Sequence, residues 1–167
     1  MEVVVDYAYL TGTKNETIIK KLSIACENVL QKFHFQGPYT MRPDGDTENG
    51  LNWDDGHIPY YQLSTVLSES VVGFVYMYGY SESKCKFQSQ LEGRPVHNLE
   101  DLNCPSPRHF RHKYSCTKPC HRIPSFRCGT RHAHSLYEWL MYHFQKMSYI
   151  TCSEDITRHT TRFVSAV

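Results

Sequence analysis

"EVVVDYAYLTGTKNETIIKKLSIACENVLQKFHFQG", Glu2–Gly37, decides the fold. Glu2–Leu10 is rich in β-branched and aromatic residues and reads as a strand, and Gly12–Asn15 supplies a turn. The next part admits two readings. Glu16–Cys26 and Val29–Met41 alternate well enough to be a second and a third strand, the last stopped by Gly37–Pro38, but Ile18–Phe33 also has helical spacing. Three strands give an antiparallel start to a mixed sheet, and a helix would give a different domain. The strand reading is adopted.

Outward from this stretch, Arg42–Pro59 is dense in Gly, Pro, Asp and Asn and reads as a long surface loop. Within it Asp54, Asp55 and His57 are donors for a cation on paper, yet Asp-Asp-Gly is an ordinary turn sequence, and the turn is preferred. Tyr60–Val71 reads as an amphipathic helix, Val72–Tyr80 as a buried central strand, and Ser81–Gly93 as a capped helix. Arg94–Leu102 reads as a short strand, and Ser135–Met147 as a closing helix with Trp139 and Tyr142 in the core. The order predicts an α/β (mixed α+β) domain over 1–148, a central mixed sheet flanked by helices, and a fraying polar tail over 149–167.

Composition narrows the function classes. The 167 residues carry 18 Lys+Arg against 17 Asp+Glu, which excludes a disordered acidic tail and a generally basic nucleic-acid binder. No signal-peptide core and no apolar run of about 20 residues is found, so a soluble intracellular protein, cytoplasmic and also nuclear, is expected, with no membrane partner. An odd number of cysteines, 7, fits a reducing compartment.

The charge balance hides an asymmetry. Carboxylates run through residues 1–101, whereas Asn103–His134, "NCPSPRHFRHKYSCTKPCHRIPSFRCGTRHAH", has none and holds Cys104, Cys116, Cys120 and Cys128 together with five histidines. In a reducing compartment such density points to zinc. Two ligand sets are open: Cys104, Cys116, His121 and Cys128, or Cys116, Cys120 and Cys128 closed by His132 or His134. With ligands enough to close the shell and no carboxylate within the run to act as base, the zinc is expected to be structural, tying a proline-rich connection. Arg108, Arg111, Lys113, Arg122, Arg127 and Arg131, interleaved with Phe110, Tyr114 and Phe126, suit phosphates and stacked bases of a single strand.

Strand "VVVDYAYL", the hairpin behind it, the helix leading into "VGFVYMYGY", the next helix, "VHNLEDL" and the closing helix resemble the RNase H-like fold of DEDDh exonucleases. Together with a Cys/His cluster just before a last helix containing "YEWL", the chain resembles the Maelstrom domain. That resemblance implies a small-RNA pathway factor of the piRNA silencing type, which binds single-stranded RNA, has lost exonuclease acids, and carries a Glu-Cys-His-Cys zinc set. Here a Cys, His121 and Cys128 match three of those ligands, and Cys104 stands for the glutamate. An active exonuclease would open with Asp-x-Glu; this chain keeps Asp6 and has Ala8 in the second place. Tyr80, Ser81 and Glu82 fall where a later acid belongs, Glu138 is the acid of the last helix, and His132 or His134 stands for the general base. Asp6 reads as a remnant of a metal site or, preferably, as an acid on an edge strand. The expected function is RNA binding without exonuclease activity, with weak endonuclease activity compatible; the alternatives are an inert protein-interaction scaffold and, below it, a metal-dependent nuclease on Asp6, His132 and Glu138.

Overall fold

Strands β1 (Glu2–Thr11), β2 (Thr17–Cys26) and β3 (Val29–His34) form an antiparallel meander. The computed structural model describes residues 1–27, 29–40, 51–79, 82–110 and 129–163. The helical spacing of Ile18–Phe33 is therefore not used. β2 is buried on both faces, with Leu22 and Ile24 on one and Ser23 and Ala25 on the other, and burial of both blurs the alternation that marks a strand.

After a 3-10 turn over Tyr60–Gln62, helix α1 (Leu63–Ser70) crosses to β4 (Phe74–Met77), which runs parallel to β1. Helix α2 (Glu82–Gln90) then leads to β5 (Val96–Asn98), parallel to β4. The five strands lie in the order β3-β2-β1-β4-β5. β1 is thus the centre of the sheet, and the expectation of Asp6 on an edge strand is corrected: the hairpin takes β2 to one side of β1 and the crossover returns β4 to the other.

One sheet face buries Val3, Val5, Leu22, Ile24, Val75 and Met77 against Leu63 and Leu67 of α1, Phe87 of α2 and Leu91 just after it. Each such side chain contributes about 1.5–3 kcal/mol. Val4, Asp6 and Ala8 alternate onto the opposite face with their partners Ala25, Ser23 and Lys21. Helix α3 (Gly129–Phe163) begins there. The chain divides into two compact units, Met1–Tyr137 and Glu138–Val167, the second being the continuation of α3. No helix among the described residues is long and apolar enough to cross a membrane.

The β1–β2 ladder is interrupted once. Partners shift from Ala8↔Lys21 to Tyr9↔Ile19, so Lys20 is an extra residue in β2, a bulge. Lys20 is fully buried, and its Nζ donates to the carbonyl oxygens of Trp53 and Asp55, both at 2.7 Å. Trp53 packs with Leu10, Ile18 and Leu51 in a second, smaller cluster, and its Nε1 donates to Tyr39 O at 2.8 Å. Gly37 lies flat against that indole, where a Cβ would collide with the ring.

Several element bounds differ from the sequence expectation. β3 stops at His34 rather than running on through Gly37, because Phe35 leaves the ladder for a bridge to Ile58. "LEDL" is not strand: the Asn98 side chain accepts from Glu100 N at 3.2 Å and starts a 3-10 turn over Leu99–Leu102. α3 starts before Ser135 and continues past Met147 to Phe163. Tyr142, expected in the core, is 65% exposed, and Trp139 stacks on His143 with ring centroids 4.9 Å apart. Phe74, in the strand expected to be wholly buried, is 59% exposed.

Candidate functional site

Asp6 is placed by topology. β1 and β4 pair as Glu2↔Phe74, Val3↔Val75 and Val4↔Tyr76, and β4 ends at Met77, so Asp6 stands one residue beyond the carboxyl end of β4. In sheets of this kind the crevice at that end, where connections leave the central strand in opposite directions, is the usual ligand site. The start of α3 closes on it: a Cβ on Gly129 would lie 2.9 Å from Asp6 Oδ2 and 3.6 Å from Ser23 Oγ. His132 Nδ1, one turn along α3, is 3.5 Å from Asp6 Oδ2, the two side chains being 18% and 31% exposed. A carboxylate against the first turn of a helix is favoured by the unpaired N–H groups there, and a protonated imidazole adds to that attraction.

Asp6 and His132, two of the three catalytic candidates, are therefore brought together. The third, Glu138, is exposed and belongs to the second unit. Ala8 occupies the next place along the same face of β1, and its ladder partner is Lys21. Where a second carboxylate would share a divalent cation with Asp6, the sheet offers a methyl group beside an ammonium. Among the described residues no three His, Cys, Asp or Glu side chains gather in a way that could hold a metal ion.

Of the zinc candidates, Cys104 is described. It is a buried free thiol whose Sγ lies 3.5 Å from Pro105 O, and burial, followed by the charge of Glu100, pushes its pKa up to about 12. Binding a metal there would have to displace the thiol proton. Glu100 was not singled out in the sequence, although the 3-10 turn that links Leu99 to Asn103 brings it to Cys104. His134, the alternate ligand two residues beyond His132, is half-buried on α3. Cys116, Cys120, His121 and Cys128 lie outside the described residues, as do Tyr80 and Ser81.

The basic run is described only at its ends. Arg108 is exposed in the 3-10 turn Pro107–His109, and Arg131 lies in the first turn of α3 with a buried Nε that has no hydrogen-bond partner among the described residues. Arg111, Lys113, Arg122 and Arg127, with Tyr114 and Phe126, fall outside. Two further cations were missed. The ladders align Asp6, Ser23 and Lys32 in one row and Ala8, Lys21 and His34 in the next, so Lys21, Lys32 and His34 share the sheet face of Asp6. Their signal was the alternation of β2 and β3, obscured by the competing helical pattern.

Asp54, Asp55 and His57 form the expected turn. Asp54 N donates to Asn52 Oδ1 at 3.3 Å, Asp55 N donates to Asn52 O at 3.2 Å, and Gly56 comes next with φ +119°. Comparison with protein-family profiles, with curated proteins and with solved structures finds no match for this chain.

Proposed function

We propose that this chain is an RNase H-like domain of the Maelstrom type that binds single-stranded RNA and is degenerate as an exonuclease. The observation that carries this is the setting of Asp6, at the carboxyl end of β4 against His132, with Ala8 and Lys21 where a second acid would stand. Two-metal phosphodiester cleavage needs carboxylates around both ions, and one carboxylate paired with an imidazole does not hold them. The strand order β3-β2-β1-β4-β5, with β2 antiparallel to the rest, supports the RNase H-like reading.

Lys21 and Lys32 on the sheet, Arg131 at the start of α3, and the basic run that leads into it supply cations for a phosphate backbone. Zinc on Cys104, Cys116, His121 and Cys128 belongs to the same reading, as a tie within the basic run. Exposed Phe74, with exposed Val72 and Met1, favours a second reading, a scaffold that docks a protein partner.

Titration of labelled single-stranded RNA at two salt concentrations separates the two. Each phosphate contact contributes a slope of about −0.7 in log K against log salt. Reversing Arg111 and Lys113, or Lys21 and Lys32, to Glu should weaken binding for all sequences and flatten that slope. No binding by the parent protein at low salt would favour the scaffold.

A further inference from the structure

We infer that residues 51–58 form an acid-released latch, closed on the start of β2 and the end of β3 around His34. Three sets of bonds hold the segment. Lys20 Nζ grips Trp53 O and Asp55 O at 2.7 Å each; His34 O accepts from His57 N and Ile58 N, both at 3.1 Å; and Gln36 N donates to Ile58 O at 2.8 Å. Trp53 seats the segment in the cluster with Leu10, Ile18 and Leu51, and Gly56 lies against Phe35 O.

The residue whose backbone oxygen anchors the segment, His34, also carries a titratable ring within electrostatic reach of it. Its Nε2 is buried and has no hydrogen-bond partner among the described residues. Lys20 and Lys21 of β2 and Asp55 and His57 of the segment face it, so a proton added to the ring would join two ammonium groups with one carboxylate to offset them. Burial first, and then Lys21 and Lys20, lower the His34 pKa from 6.5 to about 4.

The closed form therefore keeps the ring neutral, whereas an opened segment exposes a ring that takes up its proton near 6.5. Closure is undiminished above that value and is lost progressively as pH falls toward 4. Across that window the ratio of open to closed segment should rise by roughly two orders of magnitude. The latch does not depend on RNA binding.

Trp53 reports the event. The chain has 2 tryptophans, so Trp139→Phe leaves Trp53 as its sole tryptophan, read by excitation on the red edge where its tyrosines do not absorb. Between pH 7 and 4 its emission should shift to the red while the far-UV sheet signal persists, and His34→Gln should abolish the shift. An unshifted Trp53, the same transition in His34→Gln, or loss of the sheet signal together with the shift would each overturn the latch. Should His34→Gln fail to fold, NMR titration of ring-labelled histidine in the parent decides: His34 titrating near 6.5 overturns it, and a value well below supports it.

Discussion

Replacing Lys20 by Met tests how the interior of the hairpin tip is held. The variant keeps the apolar stem and removes the donor that serves Trp53 O and Asp55 O. Leaving these two carbonyls unpaired, that of Trp53 buried and that of Asp55 part-buried, costs about 1–3 kcal/mol each, roughly 4 together. Against this stands relief of the buried charge. Burial lowers the Lys20 pKa from 10.5 to about 8, so holding the ammonium at pH 7 costs the parent about 3 kcal/mol at 1.36 kcal/mol per pKa unit. The net loss in Lys20→Met at pH 7 is then about 1 kcal/mol.

At higher pH the two terms separate. Unfolded lysine keeps its proton to about 10.5, whereas folded Lys20 releases it near 8, so between these values the unfolded state holds more protons and parent stability rises with pH. The neutral amine still has two N–H donors for the two carbonyls. By pH 9.5 the parent should have gained about 2 kcal/mol on the variant, giving a gap of about 3 kcal/mol. Urea unfolding of both proteins at pH 7 and 9.5 measures the gap, and groups common to both cancel in the difference. At an m of about 2 kcal/mol/M the midpoints should separate by roughly 0.5 M at the lower pH and 1.5 M at the higher. A gap that stays constant or narrows, or a Met variant more stable at both pH values, would refute the account.

End-labelled single strands should not be shortened by the protein with magnesium or manganese, and Asp6→Ala should change no nuclease activity while lowering stability by about 0.5–1 kcal/mol through loss of the carboxylate at the start of α3; metal-dependent resection that Asp6→Ala abolishes would restore the nuclease alternative. Gly37→Ala should cost about 1–3 kcal/mol by driving a methyl into the Trp53 indole, read as a lower thermal midpoint with Trp53 emission already shifted at neutral pH. Protein purified without added metal should carry one zinc per chain, and less than about a tenth of an equivalent, with structure intact in a strong chelator, would remove the zinc site.

Much of the sheet was legible because β-branched and aromatic residues crowd Glu2–Thr11, while Gly12–Asn15 marks the first turn of the meander; its end was placed too late, since Gly37–Pro38 lies beyond the last residue of β3, His34. The position of β1 was not. Whether a first strand lies at the centre or the edge depends on the hand and return of the α1 crossover, which no local pattern encodes, and so Asp6 was assigned to the wrong setting. The Asp6–His132 meeting joins residues far apart in sequence, and Gly129, the glycine that lets α3 approach, carries no local mark of that use. Lys20 was hidden for a different reason: a lysine in a strand reads as solvent-facing, and only the bulge turns it inward. Tyr142 and Trp139 were misjudged because the helical period marks an apolar stripe without saying how far along the helix a partner surface extends.

The extra residue at Lys20 also bears on the order in which the sheet comes apart. Just past it the hairpin passes from the main cluster, which holds Val5, Ile19, Leu22 and Ile24, to the outer one of Leu10 and Ile18. The ladder hydrogen bonds of Leu10 and Ile18 can then break with the outer cluster alone, whereas those near Val5 and Ile24 require the inner core to open. Native-state hydrogen exchange should resolve the hairpin into two cooperative units, with outer amides exchanging through a low-energy partial opening and inner amides only through global unfolding. One hairpin would then come apart in two steps, with the boundary between Ile19 and Ile18, just past the break in the ladder at Lys20.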